Sequence, residues 1–205
     1  MELALLLSIL LLGVVFVLFV HEIGHLLSAR YFGIKVRCLS VGFGPQLLSF
    51  GDRFGTRWQL RALPIGGSCI LEFSDEQKSR GGGDRAALAL LSRSAVIHAA
   101  GPVFNLLLAG LLVFVSMLCT TRNLYGDDVG SLGIVIVRLI AELSMATALF
   151  NLLPFLPLDG GRLCLMAIEA GRGYPMPSSS ERRFSQFSVT ALAAMTLVYL
   201  IWLVR

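Results

Sequence analysis

Two histidines and a glutamate lie within five residues at the end of the first apolar run, His21-Glu22-Ile23-Gly24-His25. On a helix the two histidines lie one turn apart on the same face, so both imidazoles can reach one Zn²⁺ ion. Glu22 can then approach a water molecule on that ion. Ionisable groups beside an apolar span are costly unless they have a partner or a function. The pattern therefore predicts a metal site rather than a chance pentapeptide on a soluble helix.

A third metal ligand has to come from elsewhere, because hydrolytic zinc sites usually take three protein ligands and keep one position for water. Asp159 is the candidate, within residues 151–161 (NLLPFLPLDGG). The two prolines break a helix and the two glycines permit tight turns. Alone, this segment equally fits a helix-ending turn with a solvated aspartate. Beside two histidines in need of an anionic ligand, coordination by Asp159 is favoured.

The composition is that of a membrane protein. The 205 residues are 56% hydrophobic and 15% charged, and the mean hydropathy is +0.78. Four apolar stretches predict membrane spans at about residues 3–27, 95–121, 133–158 and 184–204. We therefore predict an all-α polytopic membrane protein, residues 1–205 forming a single domain, with a small membrane-associated β-hairpin or loop between the first and second spans.

The net charge of +4 does not predict a nucleic-acid partner, because the basic residues lie in the segments between apolar runs. Most of them fall between the first two spans, which places that loop in the cytoplasm. Arg172, Arg182 and Arg183 precede the fourth span on the same side. The predicted active residues, at the ends of the first and third spans, then face the cytoplasm.

Within the first loop, residues 40–73 look structured and residues 74–85 (SDEQKSRGGGDR) look like a polar linker. Residues 56–63 alternate imperfectly and end at Pro64, and Gly66-Gly67 precedes a second short apolar run at 69–71. This pattern predicts a hairpin that turns at residues 64–67.

The motifs together resemble the site-2 protease family of intramembrane zinc metalloproteases (peptidase family M50), in its compact bacterial form without a PDZ domain. That family pairs a His-Glu-x-x-His helix with a distant Leu-Asp-Gly segment. Three more stretches match it in the same order: residues 41–45 (VGFGP), 63–67 (LPIGG) and 100–105 (AGPVFN). The resemblance runs from about residue 10 to residue 172, and the order of the motifs is more specific than any one of them.

The resemblance implies one Zn²⁺ ion per chain, held by His21, His25 and Asp159, with Glu22 as the catalytic acid and base. It places Asn105 and Asn151 near the substrate or the oxyanion, although hydrogen bonding between helices is an equally good explanation of buried asparagines. It places four glycines at the cleft beside an unwound substrate strand, where ordinary turns are the alternative; these are Gly42, Gly44, Gly66 and Gly67. His98 is interpreted as an interfacial residue, because the ligand set is complete without it.

The function implied is that of a zinc metalloendopeptidase that cuts membrane-protein substrates in or near their transmembrane helices, known as regulated intramembrane proteolysis. The compact form implies a bacterial plasma (inner) membrane. The expected partners are a transmembrane protein substrate and the lipid bilayer. The link from residue 121 to residue 130 is too short for a PDZ domain, so a regulator or adaptor is expected either to be a separate membrane protein or to be absent.

A substrate helix must unwind before it is cut, since a helix hides its carbonyls in internal hydrogen bonds. Strand addition along residues 56–63 of the hairpin could pair the exposed backbone.

Two alternatives come from other classes: a membrane protein that handles or transports metal, and a catalytically silent pseudoprotease that binds membrane partners. Glu22 argues against the first, because a pore does not need a general base between its histidines.

Overall fold

The computed structural model describes residues 2–72, 84–121, 128–174 and 176–204. Its elements, in chain order, are α1 (Glu2–Tyr31), β1 (Lys35–Gly51), β2 (Arg57–Glu72), α2 (Asp84–Thr121), α3 (Asp128–Asn151), α4 (Asp159–Arg172) and α5 (Ser178–Val204). The predicted polar linker at 74–85 and the link at 121–130 lie largely outside the described residues.

Three helices are long and apolar enough to cross a membrane, over Ala4–Tyr31, Ala89–Thr120 and Leu132–Asn151. They match the first three predicted spans and fit an integral membrane protein. Helix α5 covers the predicted fourth span, but within the described residues it does not meet the same criteria, so four spans are not confirmed.

The ends of two spans differ from the prediction. Helix α1 continues beyond residue 27 to Tyr31, so His21 lies nine residues, or about 13 Å along the axis, before Arg30. The metal-binding residues therefore lie well inside the first span rather than at its end. Helix α3 stops at Asn151 instead of residue 158. Pro154 and Pro157, which cannot donate helical hydrogen bonds, follow within two turns.

The predicted hairpin between the first two membrane helices is present as the antiparallel pair β1–β2, with Lys35 opposite Glu72 and Gly51 opposite Arg57. The turn that closes this hairpin lies at 52–56 and not at the predicted 64–67, and both predicted strands belong to β2. The chain does reverse direction between them, because residues 57–60 run parallel and residues 67–70 antiparallel to residues 38–41, which lie between the two. Asp52 stabilises the turn at 52–56 by accepting hydrogen bonds from the backbone N–H groups of Phe54 and Thr56, both at 2.9 Å. Pro64 has no partner in the register, so no ladder hydrogen bond is lost there.

The two long strands fold back so that their middle parts have neighbours on both sides. Residues 38–41 have partners in β2 at 57–60 and again at 67–70, and residues 57–60 also pair with 48–51. Residues 57–60 are therefore interior to the sheet, which corrects the prediction that this segment offers an edge for strand addition. The outer segments are residues 46–51 and 67–72.

Hydrogen bonds join the turn of the hairpin to the end of α1. The Arg30 guanidinium binds the Asp52 carboxylate and donates a hydrogen bond of 3.0 Å to the Thr56 hydroxyl. The indole N–H of Trp58 donates to the same carboxylate at 3.0 Å. Partial burial acts to raise the pKa of Asp52, but the hydrogen bonds from Trp58, Thr56, Arg30 and Phe54 outweigh it and hold the pKa below its usual range.

An apolar core fixes the hairpin along α1 and against α2. Its buried members come from the last turns of α1, the start of the sheet and one residue of α2: Leu26, Ala29, Ile34, Val36, Leu39, Val41 and Ile97. Since β1 starts just after the end of α1 and packs against it, the sheet runs back along the helix toward His21 and Glu22. This packing brings β2 to the predicted metal site.

Candidate metal centre

Three side-chain atoms from distant parts of the chain converge at one point. His21 Nε2 lies 3.0 Å from Asp159 Oδ2 and 3.2 Å from His25 Nε2, and His25 Nε2 lies 3.4 Å from the same oxygen. Ligands on one zinc ion, each about 2.0–2.1 Å from the metal, are separated by similar distances. Two imidazoles and one carboxylate are also the donor types that zinc takes in hydrolytic sites. The three residues therefore fit the predicted metal.

Two of the three ligands are held by hydrogen bonds at the atoms that face away from this point. His25 Nδ1 donates to the carbonyl oxygen of Ile97 at 2.7 Å, which leaves Nε2 free to bind a metal. Asp159 Oδ1 lies 3.1 Å from His98 Nδ1, so Oδ2 faces the histidines.

The ligands are brought together by close approaches that only glycine permits. A Cβ added to Gly101 of α2 would lie 2.5 Å from His25 Nε2 and 2.8 Å from His21 Cε1. At the start of α4, a Cβ on Gly160 would lie 2.2 Å from the carbonyl oxygen of Leu152. The segment that follows α3 thus packs directly onto the first turn of α4, and this packing sets the position of Asp159.

Glu22 lies on α1 between the two histidines, and its side chain is enclosed by the sheet. The residue is only 4% exposed, and its Oε2 atom has no hydrogen-bond partner among the described residues. A Cβ on Gly67 of β2 would lie 2.4 Å from Glu22 Oε1 and 2.7 Å from the carbonyl oxygen of Ser40. Gly67 therefore lies at the site, as the resemblance implied.

The other three glycines that the resemblance placed at the cleft contact the sheet instead. Gly42 and Gly44 have positive φ angles of 88° and 81°, and the nearest atoms to both belong to the strand around Leu63. Gly66, with φ 135°, lies against the ring of Phe43. These positions need glycine for the bends of the sheet, which agrees with their interpretation as turns.

The two asparagines differ. Asn151 donates to the carbonyl oxygen of Thr147 in its own helix at 3.0 Å. Asn105 lies one turn beyond Gly101 on α2 and is fully buried, yet neither atom of its amide group has a partner within the described chain. Its backbone carbonyl accepts a hydrogen bond of 2.9 Å from Ser144, so the contact between helices does not use the Asn105 side chain.

The interpretation of His98 as an interfacial residue missed its contact with Asp159. The sequence did contain a signal: an ionisable side chain on an apolar membrane helix costs free energy unless it has a polar partner, and His98 lies on such a helix three residues before the Gly-Pro pair. Gly101 was also missed as a residue in contact with the ligands, because spacing along α2 does not show how closely α1 approaches it.

Comparisons with known proteins agree with this geometry. The family described as "Peptidase family M50" matches residues 9–125 and 131–195. A protein of Brucella suis named "Putative zinc metalloprotease" is 42% identical over 45% of this chain and 27% of its own length. Proteins with the same description from Agrobacterium fabrum and Campylobacter jejuni are 34% identical over 54% of this chain and 38% identical over 49%.

These alignments cover only 27% to 32% of the relatives' own lengths, so the chain corresponds to about a third or less of each. The family match, in contrast, includes His21, Glu22, His25 and Asp159 and covers most of the chain. The predicted resemblance is confirmed, and the chain belongs to peptidase family M50, the site-2 protease family.

Proposed function

We propose that this chain is an intramembrane zinc metalloendopeptidase that hydrolyses peptide bonds in or near the transmembrane helices of membrane-protein substrates. One observation carries the proposal: His21, His25 and Asp159 place three donor atoms 3.0 to 3.4 Å apart, with the buried Glu22 between the two histidines on the same helix. The family membership and the names of the relatives support the same activity.

Zinc, when bound, polarises a carbonyl group and makes water more acidic. Glu22 takes the proton from the attacking water and returns it to the leaving amine. Its Oε2 atom is suited to this role because it is buried and has no hydrogen-bond partner among the described residues that would compete for the proton. The other oxygen, Oε1, lies against Gly67 of the sheet.

The depth of the site supports intramembrane cleavage. His21 lies about 13 Å before Arg30, within an otherwise uncharged stretch of α1. The basic residues Arg30, Arg53 and Arg57 lie at the α1 end where the hairpin turns, which by the positive-inside rule we assign to the cytoplasm. We assign the protein to a bacterial plasma membrane, with the site reached from its cytoplasmic side.

The unwound substrate segment lies, in this proposal, along the outer edge of β2 at residues 67–72. Within the described chain this edge pairs only with β1, and Gly67 at its start lies next to Glu22. A strand added here would carry its peptide bonds past the catalytic glutamate. The edge at residues 46–51 is the other outer segment of the sheet and offers the matched comparison.

The test of the activity is cleavage of a tagged single-span substrate, with helix-breaking residues near its cytoplasmic end, in zinc-loaded proteoliposomes. We expect Glu22→Gln to lower the rate by about 10²–10⁴-fold, the usual contribution of a general base, while zinc content stays unchanged. Glu142→Gln is the matched control, because Glu142 is an exposed glutamate on another membrane helix.

Equal cleavage by the wild type and Glu22→Gln would contradict the assigned base. Zinc flux through the liposomes that survives Glu22→Gln, with no proteolysis, would favour the transport alternative. Identical binding and handling of the substrate by both proteins, without cleavage, would favour a pseudoprotease.

The edge is tested with proline, which removes one backbone donor. Successive N–H groups of a strand point to opposite sides, so one of Ser68→Pro and Cys69→Pro removes a donor from the outer edge. We expect that variant to cleave more slowly, whereas Leu48→Pro and Ser49→Pro on the other edge leave the rate near that of the wild type. Slower cleavage by Leu48→Pro or Ser49→Pro alone would place the substrate on the edge at residues 46–51 and contradict the proposed edge at 67–72.

A further inference from the structure

We infer that His98 is a positioning residue of the metal centre, which holds the Asp159 carboxylate so that a single oxygen faces the metal. This inference rests on the proposed metal site. A carboxylate can bind a metal ion through one oxygen or through both, and the choice changes the coordination number. A hydrogen bond to one oxygen favours binding through the other.

The contacts of Asp159 divide between its two oxygens. Oδ2 lies 3.0 and 3.4 Å from the Nε2 atoms of His21 and His25, and Oδ1 lies 3.1 Å from His98 Nδ1. Within the described chain, His98 is the partner of this carboxylate outside the ligand triad. With Nδ1 as the donor, His98 fixes the rotation of the carboxylate about its last bond.

Asp159 needs an external partner because of its place in the chain. It is the first residue of α4 and follows residues 152–158, which are neither helix nor strand. His21 and His25, in contrast, share one continuous helix and are related by its geometry. The position of the aspartate relative to the histidines therefore depends on packing between α4 and other elements, and His98 adds a direct contact with its carboxylate.

The same turn of α2 also contacts the two histidines of α1. Ile97, next to His98, accepts the hydrogen bond of 2.7 Å from His25 Nδ1. Gly101, three residues later, leaves room for both histidine rings. The turn at residues 97–101 thus fixes the donor atoms contributed by α1 and α4 relative to one another, although it contributes no ligand to the triad.

Among the described residues, His98 does not belong to the group whose donor atoms converge, which is His21, His25 and Asp159. The His98 nitrogen also faces the carboxylate oxygen that points away from the triad. A role through Asp159 is the one that this geometry supports.

The test compares His98→Leu with His98→Asn in the full-length protein in detergent. Leucine fills the space without a donor, and the amide nitrogen of asparagine stands the same number of bonds from the backbone as Nδ1. Zinc affinity is measured by competition with a chelator, and the geometry of the site by the visible absorption bands of the Co²⁺-substituted protein. Ser92→Leu is the matched control, since Ser92 is an exposed polar residue on the same helix.

We expect His98→Leu to weaken zinc binding by about 10–100-fold and to shift the Co²⁺ bands, the usual effect of losing a hydrogen bond behind a metal ligand. His98→Asn should recover most of the affinity and the wild-type bands, and Ser92→Leu should resemble the wild type. Unchanged affinity and bands in His98→Leu would overturn the inference, as would failure of asparagine to restore them.

A separate variant distinguishes failure of the inference from failure of the metal site. His21→Ala should bind zinc far more weakly than any His98 variant. If His21→Ala binds zinc as tightly as the wild type, the proposed ligand set is wrong. If only the His98 variants match the wild type, the ligand set stands and the positioning role is overturned.

Discussion

The proposed metal ligands and the proposed catalytic glutamate are supported by different elements. Helix α2 lies behind the ligands, where Gly101 touches both histidine rings and Ile97 holds His25. Strand β2 lies behind Glu22, where Gly67 touches one carboxylate oxygen. Yet Glu22 is the neighbour of His21 on the same helix. The proposed ligands and the proposed base therefore differ in which element packs against their side of α1, although they are neighbours on that helix.

Unpaired buried polar atoms occur on both sides of the site. The outward atoms of His25 and Asp159 have hydrogen-bond partners, but His21 Nδ1 has none among the described residues. Glu22 Oε2 and the side-chain amide of Asn105, which lies on α2, are also buried without partners there. A buried polar group left unpaired costs about 1–3 kcal/mol, so these atoms are the ones available to water or substrate.

The largest effect that separates the two sides is expected from Gly101→Ala. The new methyl group would lie 2.5 Å from His25 Nε2, so the ring must move away from the metal position. Displacement of a reacting group by about 1 Å can cost 100-fold in rate. We expect Gly101→Ala to lower cleavage by about 100-fold or more and to weaken zinc binding, as measured by proteoliposome cleavage and chelator competition.

Gly110→Ala on the same helix is the control, because a Cβ there meets no atom within 4 Å. It should keep wild-type activity and zinc affinity. If Gly101→Ala binds zinc as tightly as the wild type, α2 does not set the position of the proposed ligands, and the contrast between α2 and β2 is wrong.

A smaller and more selective effect is expected from Gly67→Ala. Its methyl group would lie 2.4 Å from Glu22 Oε1 and displaces the carboxylate without touching a ligand. We expect cleavage to fall by roughly 10–100-fold, less than when the general base is removed altogether, with zinc affinity unchanged. Gly51→Ala, at a position in the same sheet with open space around it, should be silent. Weaker zinc binding in Gly67→Ala would show that the two sides are coupled.

The ligand set was predictable from sequence because its chemistry is local. His21 and His25 are one turn apart on any helix, and a two-histidine site requires an anionic third ligand, which Asp159 supplies after a helix-breaking segment. The structure brings these three residues together as predicted. The three apolar helices were predictable for the same reason, since their length and composition are properties of continuous segments.

What the sequence did not reveal depends on contacts between distant segments. Pro64 and Gly66-Gly67 lie where the chain reverses within β2, whereas the turn that closes the hairpin is held by Asp52 and its contact with Arg30 on α1. The contact of His98 with Asp159 was not predicted, because nothing in α2 shows that the start of α4 packs beside it. Both contacts join side chains more than 20 residues apart.

The smallest expected effect is that of Asn105→Leu. This substitution tests whether the unpaired amide of Asn105 contacts the substrate or supports the packing of the helices. If Asn105 supported the helices, leucine would destabilise the protein; if it contacts the substrate, leucine removes the cost of an unpaired buried amide. We expect cleavage to fall about tenfold, the worth of one hydrogen bond, while the free energy of unfolding rises by about 1 kcal/mol. Thermal unfolding in detergent, beside the cleavage assay, measures both.

Asn151→Leu is the control for Asn105→Leu, because the Asn151 amide already donates to the backbone of its own helix. It should leave cleavage near the wild-type rate. A loss of stability in Asn105→Leu without a loss of cleavage would assign Asn105 to helix packing. Of the two unpaired groups tested here, Glu22 alone would then remain a candidate for contact with water or substrate.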